Sequence, residues 1–230
     1  MRRISKFYRG QIIVVLCILL PGCFKNLEED VSPDRIYTMY FLIYDESVNS
    51  TLAAAVFSAY DQNGFPQVLR GSASVEFEGS ELLYNRSLNE YNLLIEDNLI
   101  TAGQFSYNDE QGHSFVNDVE LRLLDYPSDL DSLNSSEDYS FSWIGDPVKS
   151  GEVIRLRFED EEGTILLILE QNNEGASTIS VPLQQLVIIG ERTINLRMNI
   201  LRILSTDEDP GVGGLIQTSV WSSIRSVVIY

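Results

Sequence analysis

Five acidic residues within the stretch DYPSDLDSLNSSED (125–138) are the residues of this chain best suited to binding a metal ion. They are Asp125, Asp129, Asp131, Glu137 and Asp138. Calcium takes about six to eight oxygen ligands, and carboxylates supply them well, but the spacing here is not that of an EF-hand loop. The same stretch holds four serines and a proline, which favour a solvated linker. A Ca²⁺ site and an ordinary acidic linker are therefore the two interpretations.

Trp221 is the second candidate. In the stretch IQTSVWSS (216–223), Ile216 and Val220 share one face of a predicted strand, and Trp221 lies with Gln217 and Ser219 on the other. An aromatic side chain on a polar strand face can stack on a sugar ring or anchor a protein partner. Burial at a domain interface is the alternative.

Residue patterns typical of enzymes are absent from the sequence. His113 is the only histidine, and it lies in a predicted Gly-His-Ser turn beside Asp109 and Glu110. The sequence has no Gly-x-Ser-x-Gly elbow, no phosphate-binding loop and no set of residues typical of a zinc site. The glycine-rich stretch 210–214 follows three acidic residues, which would repel a phosphate. We predict no catalytic residue, no firm metal site and no cofactor, with an envelope hydrolase as the least favoured alternative.

The N-terminus has the pattern of an export signal. Four basic residues lie within the first nine positions, and Ile12–Leu20 is a run of nine apolar residues. As a helix this run would be about 14 Å long, about half the hydrocarbon thickness of a bilayer. A signal-peptide core fits this length better than a membrane-spanning helix. An ordinary secretory signal and a short N-terminal anchor are the alternatives.

The stretch Leu20-Pro21-Gly22-Cys23 resembles the lipobox of bacterial lipoproteins. The resemblance implies that residues 1–22 are removed and that Cys23 becomes the lipidated N-terminus, followed by a tether over 23–33. Two or three acyl chains, each buried methylene contributing about 0.8 kcal/mol, would hold the protein on the membrane almost permanently. Phe24 stands where an aspartate would signal inner-membrane retention, so the implied location is the outer membrane.

Charge excludes one class of partner. The sequence carries 16 basic and 34 acidic residues, and loss of residues 1–22 leaves 12 basic residues and a net charge of −22. Binding to nucleic acid needs clustered Lys and Arg that replace counterions, so we expect no nucleic-acid partner. Electrostatic docking on anionic lipid is disfavoured for the same reason.

After the tether, most of the sequence has patterns typical of β-strands. Short apolar or alternating segments separated by Gly and Asn turns recur to the C-terminus, and the clearest alternation lies in Val153–Glu159. One short helical turn is predicted within 182–190. The pattern predicts an all-β fold of tandem antiparallel sandwiches, immunoglobulin-like or fibronectin-III-like, over 34–124 and 139–230, joined by the acidic linker 125–138. One larger sandwich is the alternative.

This layout is similar to that of many envelope lipoproteins, including those of Bacteroidota, and the junction is similar in outline to cadherin-like tandem sandwiches, although the cadherin motifs are absent. The likeness implies a lipid-anchored binding or scaffolding module without catalytic activity. The leading prediction is a protein partner recruited through the sandwich surfaces. The alternative is a polysaccharide ligand that stacks on Trp221.

Overall fold

Buried and half-buried residues alternate along the first strand, which forms a hairpin with the second. The computed structural model describes residues 31–230, which form one compact unit, so the predicted signal and Cys23 lie outside the described residues. The strands of the unit, after a short 3₁₀ turn at Pro33–Arg35, are β1 Ile36–Asp45, β2 Ser50–Ala59, β3 Ser74–Phe77, β4 Ser80–Glu81, β5 Leu83–Asn85, β6 Glu90–Glu96, β7 Ala102–Asn108, β8 Ser114–Glu120, β9 Ser132–Leu133, β10 Tyr139–Ser142, β11 Glu152–Glu159, β12 Ile165–Gln171, β13 Thr178–Val181, β14 Arg192–Ser205, β15 Gly214–Trp221 and β16 Arg225–Ile229. The one helix among the described residues, α1 (Leu183–Ile189), falls where the helical turn was predicted. The all-β prediction is confirmed.

Ten of these strands form one long sheet. Its order is β12-β11-β14-β15-β1-β2-β6-β5, with β16 beside the first part of β14 and β9 beside β16. Strand β14 is 14 residues long, and it pairs with β16 over residues 192–196 and with β15 over residues 199–205. Because of its length, β14 pairs with β11 on one side and, on the other side, first with β16 and then with β15.

Two smaller layers cover one face of the long sheet, here called the front face. The four-stranded sheet β4-β3-β7-β8 lies over its N-terminal half, where Phe105 stacks on Tyr40 with ring centroids 4.9 Å apart. The antiparallel pair β10-β13 and α1 lie over its C-terminal half, where Phe141 and Leu186 join Phe158 in a second core. The result is two hydrophobic cores side by side on one sheet.

The structure differs from the predicted domain division at β15. Strand β15 pairs in parallel with β1 on one side and antiparallel with β14 on the other. Its residues Ile216 and Val220 belong to the core of the N-terminal half, although they lie within the predicted second sandwich. The two halves therefore share a continuous hydrogen-bonded sheet, because the last part of the chain returns to pair with the first strand.

The segment 125–138 also differs from the expected solvated linker. Tyr126, Leu130 and Leu133 are buried in the C-terminal core. The Tyr126 hydroxyl donates to the carbonyl of Leu196 (2.9 Å) and accepts from the N–H of Met198 (3.0 Å). Burial raises the pKa of Tyr126 to about 12, so the hydroxyl keeps its proton for these bonds at neutral pH. Only the acidic and serine side chains of the segment face solvent, since the apolar residues between them point inward.

Candidate functional site

The face of the long sheet opposite the two cores, here called the open face, carries exposed and half-buried apolar residues on adjacent strands. All the buried apolar residues of the small layers belong to the two front cores. On the open face, Leu94 is 55% exposed and Ile203 is 48% exposed. Their neighbours on the same face are half-buried, because side chains in adjacent rows shield one another.

Nine apolar residues in three consecutive rows form this surface, and we name them the open-face patch. The strand registers place them on one side of five adjacent strands: Met39, Phe41, Ile43, Leu52, Val56, Leu94, Leu201, Ile203 and Leu215. The other positions of these rows on the four central strands are Ala54, Gln217, Ser219 and Ser205, so none of these four strands contributes a charge. From strand and residue spacings, the patch measures about 24 Å by 20 Å, or about 500 Å². Apolar patches of this size on monomeric proteins often mark interaction sites.

Trp221 lies at the margin of the open-face patch, in the row next to Ser219. The guanidinium groups of Arg157 and Arg197 both lie over its indole ring, 5.1 and 5.0 Å from the ring centroid. Arg197 is held in turn by Asp45, directly opposite Trp221 on β1, and Arg157 by Glu159 at 2.7 Å. A sugar ring stacking on Trp221 would have to compete with these cations for the aromatic surface. Sequence reasoning identified Trp221, which is half-buried in the structure, but not the arginines, which are more than 20 residues away in the chain.

The structure does not bring the five acidic residues of 125–138 together. Within residues 31–230, no group of three or more acidic, histidine or cysteine side chains has an arrangement that could hold a metal ion. Each residue has its own local contact instead: Asp125 Oδ1 accepts from the N–H of Tyr126, the Asp129 carbonyl from the N–H of Asp131, Asp131 Oδ1 from Arg225, Glu137 Oε1 from Asn134, and Asp138 Oδ1 from the N–H of Leu183. These contacts fix the course of the segment along the C-terminal core.

A cleft of about 650 Å³ opens on the front side between β7–β8 and β14–β15. Its lining includes Glu78, Asp118 and Glu120, whose side chains are exposed, and Asp118 accepts a hydrogen bond from the Gln104 amide at 2.9 Å.

His113 forms an acid–histidine pair in the β7–β8 turn. Its Nδ1 lies 2.8 Å from Oδ2 of Asp109, and Asp109 Oδ1 accepts from the backbone N–H groups of Gln111 and His113, both at 2.8 Å. The carboxylate is buried, whereas the imidazole is exposed. Burial opposes ionisation of Asp109, but the hydrogen bonds from the His113 side chain and from the two N–H groups outweigh it and hold the pKa of Asp109 below its ordinary value. The pair organises the turn.

Replacement of Asp109 by asparagine is expected to lower the free energy of unfolding by about 1 kcal/mol at pH 7, since hydrogen bonds to a charged acceptor are lost. A depressed native pKa stabilises the fold above the unfolded pKa of about 3.9, and this contribution disappears as the pH falls through the lower native pKa. The difference in stability between the two proteins, measured by denaturant melts from pH 7 to pH 3, should therefore narrow toward the acidic end. A difference that stays constant across this range would show that the charge of Asp109 contributes nothing.

Comparison with known proteins gives no family. No protein-family model matches the chain, and no curated protein matches it. Among solved structures, the chain is similar to a protein described in a study of host cell surface retention of a 1.5-MDa bacterial ice-binding adhesin, at 11% identity and a TM-score of 0.26, covering 81% of this chain and 64% of that one. It is also similar to the Bacteroides ovatus protein SGBP-B of a mixed-linkage glucan utilization locus, solved with a heptasaccharide, at 13% identity and a TM-score of 0.23, covering 88% of this chain and 45% of that one. The chain thus spans less than two thirds of either protein, and similarity at this level does not identify its ligand.

No helix within residues 31–230 has the length and apolar character needed to cross a bilayer.

Proposed function

We propose that this protein is a non-catalytic, lipid-anchored module of the bacterial envelope, most simply at the outer membrane, that recruits a protein partner through the open-face patch. The observation that carries the proposal is the row pattern of the long sheet: nine apolar side chains on five adjacent strands, with no charge on the central four. Apolar sheet faces gain stability by packing on a second apolar layer about 10 Å away. Lipid anchoring is supported by the lipobox-like sequence that ends at Cys23.

The size and margin of the patch favour a protein over a small ligand. A footprint of about 500 Å² is of the size expected for the centre of a standard interface, where about 800 Å² is buried per partner. Trp221, Arg157 and Arg197 stand at its margin, and tryptophan and arginine are the residue types most enriched among energetically dominant interface residues.

Charge favours a partner that is not a second copy of this chain. Two copies packed face to face would bring together two molecules of net charge −22 each. The expected partner therefore presents an apolar strand or sheet face on a protein that is less acidic than this one.

A site-directed crosslinking experiment tests the proposal. A photo-crosslinking amino acid replaces Gln217, in the middle of the patch, and a control probe replaces Val187 on the exposed side of α1. Irradiation of whole cells should give one discrete protein adduct from position 217 and none of that mass from position 187.

The double substitution Leu94→Glu and Ile203→Glu should then reduce this adduct about tenfold, since it places two charges in the apolar contact. The matched control, Val187→Glu, adds a charge to an equally exposed apolar site on α1 and should leave the adduct unchanged. An adduct that survives the double substitution would overturn the proposal. Recovery of cell-wall or capsular glycan in place of a protein would move the function to the polysaccharide alternative and would direct attention to Trp221.

A further inference from the structure

The β2–β3 connection presents three large apolar side chains to solvent. Tyr60 is 46% exposed, Phe65 is 62% exposed and Val68 is 48% exposed. We name residues 60–69 the apolar loop. Neither the two cores nor the open-face patch uses these three side chains.

The backbone of the apolar loop is fixed by hydrogen bonds. The N–H of Ala59 donates to the carbonyl of Phe65 at 2.9 Å, and the N–H of Gln67 donates to the carbonyl of Phe57 at 2.8 Å. A Cβ atom on Gly64 would lie 1.7 Å from the carbonyl oxygen of Ala59, so the tight turn that presents Phe65 depends on glycine. A loop held in this way loses little conformational entropy when it binds a surface.

The apolar loop lies where the described chain begins. The N–H of Tyr60 donates to the carbonyl of Arg35 at 2.7 Å, and the Arg35 guanidinium lies over the Tyr60 ring at 5.8 Å. Ile36, the first residue of β1, pairs with Ala59, the last residue of β2. The loop and the entry of the chain therefore share one end of the long sheet.

The length of the intervening chain limits how far this end can lie from the lipid. Val31 lies eight positions after Cys23, and eight fully extended steps reach at most about 28 Å. A lipidated Cys23 would thus keep the apolar loop close to the bilayer surface. Tyrosine is enriched at the interface between headgroups and acyl chains, and phenylalanine is among the apolar residues that interfacial segments bury there.

We infer that the apolar loop docks on the lipid surface of the membrane that holds the anchor, with Phe65 entering the headgroup region. The inference rests on the lipid anchoring in the proposed function. Asp34 and Asp61 lie at the same end, so the contact depends on apolar insertion and not on attraction to anionic lipid. Docking would orient the strands away from the membrane and leave the open-face patch accessible from the side.

The test uses the lipidated full chain in vesicles of phosphatidylcholine. An environment-sensitive fluorophore is attached at Asn63→Cys, an exposed position beside Gly64, and in a separate protein at Glu161→Cys, in the β11–β12 turn at the opposite end of the strands. The acylated Cys23 leaves each introduced thiol as the single labelling site. Nitroxide-bearing lipids with a shallow spin label should quench the label at 63 at least about twofold more than the label at 161, because interfacial side chains sit about 5–10 Å deep.

Adding Phe65→Ser to the Asn63→Cys protein should abolish the extra quenching while the vesicles still carry the protein in flotation. Equal, low quenching at both positions in protein that floats would overturn the inference and leave the lipid anchor intact. Protein that fails to float at all would overturn the anchoring itself, and with it this inference. Quenching at 63 that survives Phe65→Ser would show that the tether alone brings the loop near the lipid, which also overturns the docking role of Phe65.

Discussion

Replacement of Phe105 by alanine is expected to lower the free energy of unfolding by about 3–5 kcal/mol, the usual cost of removing a buried phenylalanine ring. Phe105 is fully buried, stacks on Tyr40 and contacts Phe77 with ring centroids 4.8 Å apart. The loss should be shared by both cores, because β15 is hydrogen-bonded to β1 in one half and to β14 in the other. We therefore expect one unfolding transition, shifted as a whole.

Chemical denaturation followed both by near-ultraviolet circular dichroism and by hydrogen exchange measures this effect. Amide protons of β11, in the C-terminal half, should lose protection together with those of β7, which carries Phe105. Phe65→Ala is the matched control, since it removes the same side chain from an exposed position and should change stability by less than about 0.5 kcal/mol. A C-terminal half that keeps its original midpoint while the N-terminal half melts would instead support two independent sandwiches.

Local sequence patterns were sufficient to predict strands but not the partner of β15. The alternation in Val153–Glu159 gave β11 correctly, and its hairpin with β12 turns at Gly163, where φ is +83°. Strand pairing between β1 and β15 joins residues that are more than 170 positions apart. No periodicity within either strand encodes such a pairing, and this is why the sequence suggested two sandwiches of similar length.

The serines and acidic residues of segment 125–138 likewise prevented a prediction from the sequence that part of this segment is buried. Composition over 14 residues averages the exposed acidic side chains with the three buried ones, Tyr126, Leu130 and Leu133. Their spacing of four and three residues is that of one helix face, but Pro127 and the serines interrupt the pattern, so it predicted no strand. The apolar side chains are buried because β9 and the turns around it pack on the C-terminal core.

The sequence of β1 contains a pattern that indicates the open-face patch. In β1, the open-face residues Met39, Phe41 and Ile43 alternate with the core residues Tyr40 and Leu42, so the strand reads as continuously apolar. A strand with one solvated face alternates, whereas a strand covered on both faces reads as an apolar run. In residues 31–230 only the front face of β1 is covered by other elements, which is consistent with a second layer supplied by a partner. The position of Trp221 among arginines could not be read from the sequence, because it depends on the order β11-β14-β15 in the sheet.

A buried ion pair connects the two halves on the front side. Arg122 follows β8, and its Nη2 lies 2.6 Å from Oε2 of Glu152 at the start of β11, with side-chain exposures of 14% and 1%. Arg122 Nη1 also donates to the carbonyls of Asp146 and Pro147 at 2.6 and 2.9 Å. Glu152 accepts one further bond, from the N–H of Lys149 at 2.7 Å. The Arg122 guanidinium is thus the main group that offsets the cost of removing the Glu152 carboxylate from water.

Arg122→Met is expected to lower the free energy of unfolding by about 3–5 kcal/mol, since it leaves the Glu152 carboxylate buried without a counter-ion. The double variant Arg122→Met, Glu152→Gln should recover a large part of this loss, because the amide keeps an acceptor for Lys149 without the charge. Arg155→Met is the matched control. Nε of Arg155 lies 2.7 Å from Oε1 of Glu170, but both side chains are partly exposed. Such exposed pairs contribute at most about 1 kcal/mol. Urea melts of these three variants, of Glu152→Gln alone and of the unsubstituted protein decide the matter. If the double variant is as unstable as the two single losses added together, the arginine stabilises the junction through the carbonyls of Asp146 and Pro147, and the ion pair itself contributes little.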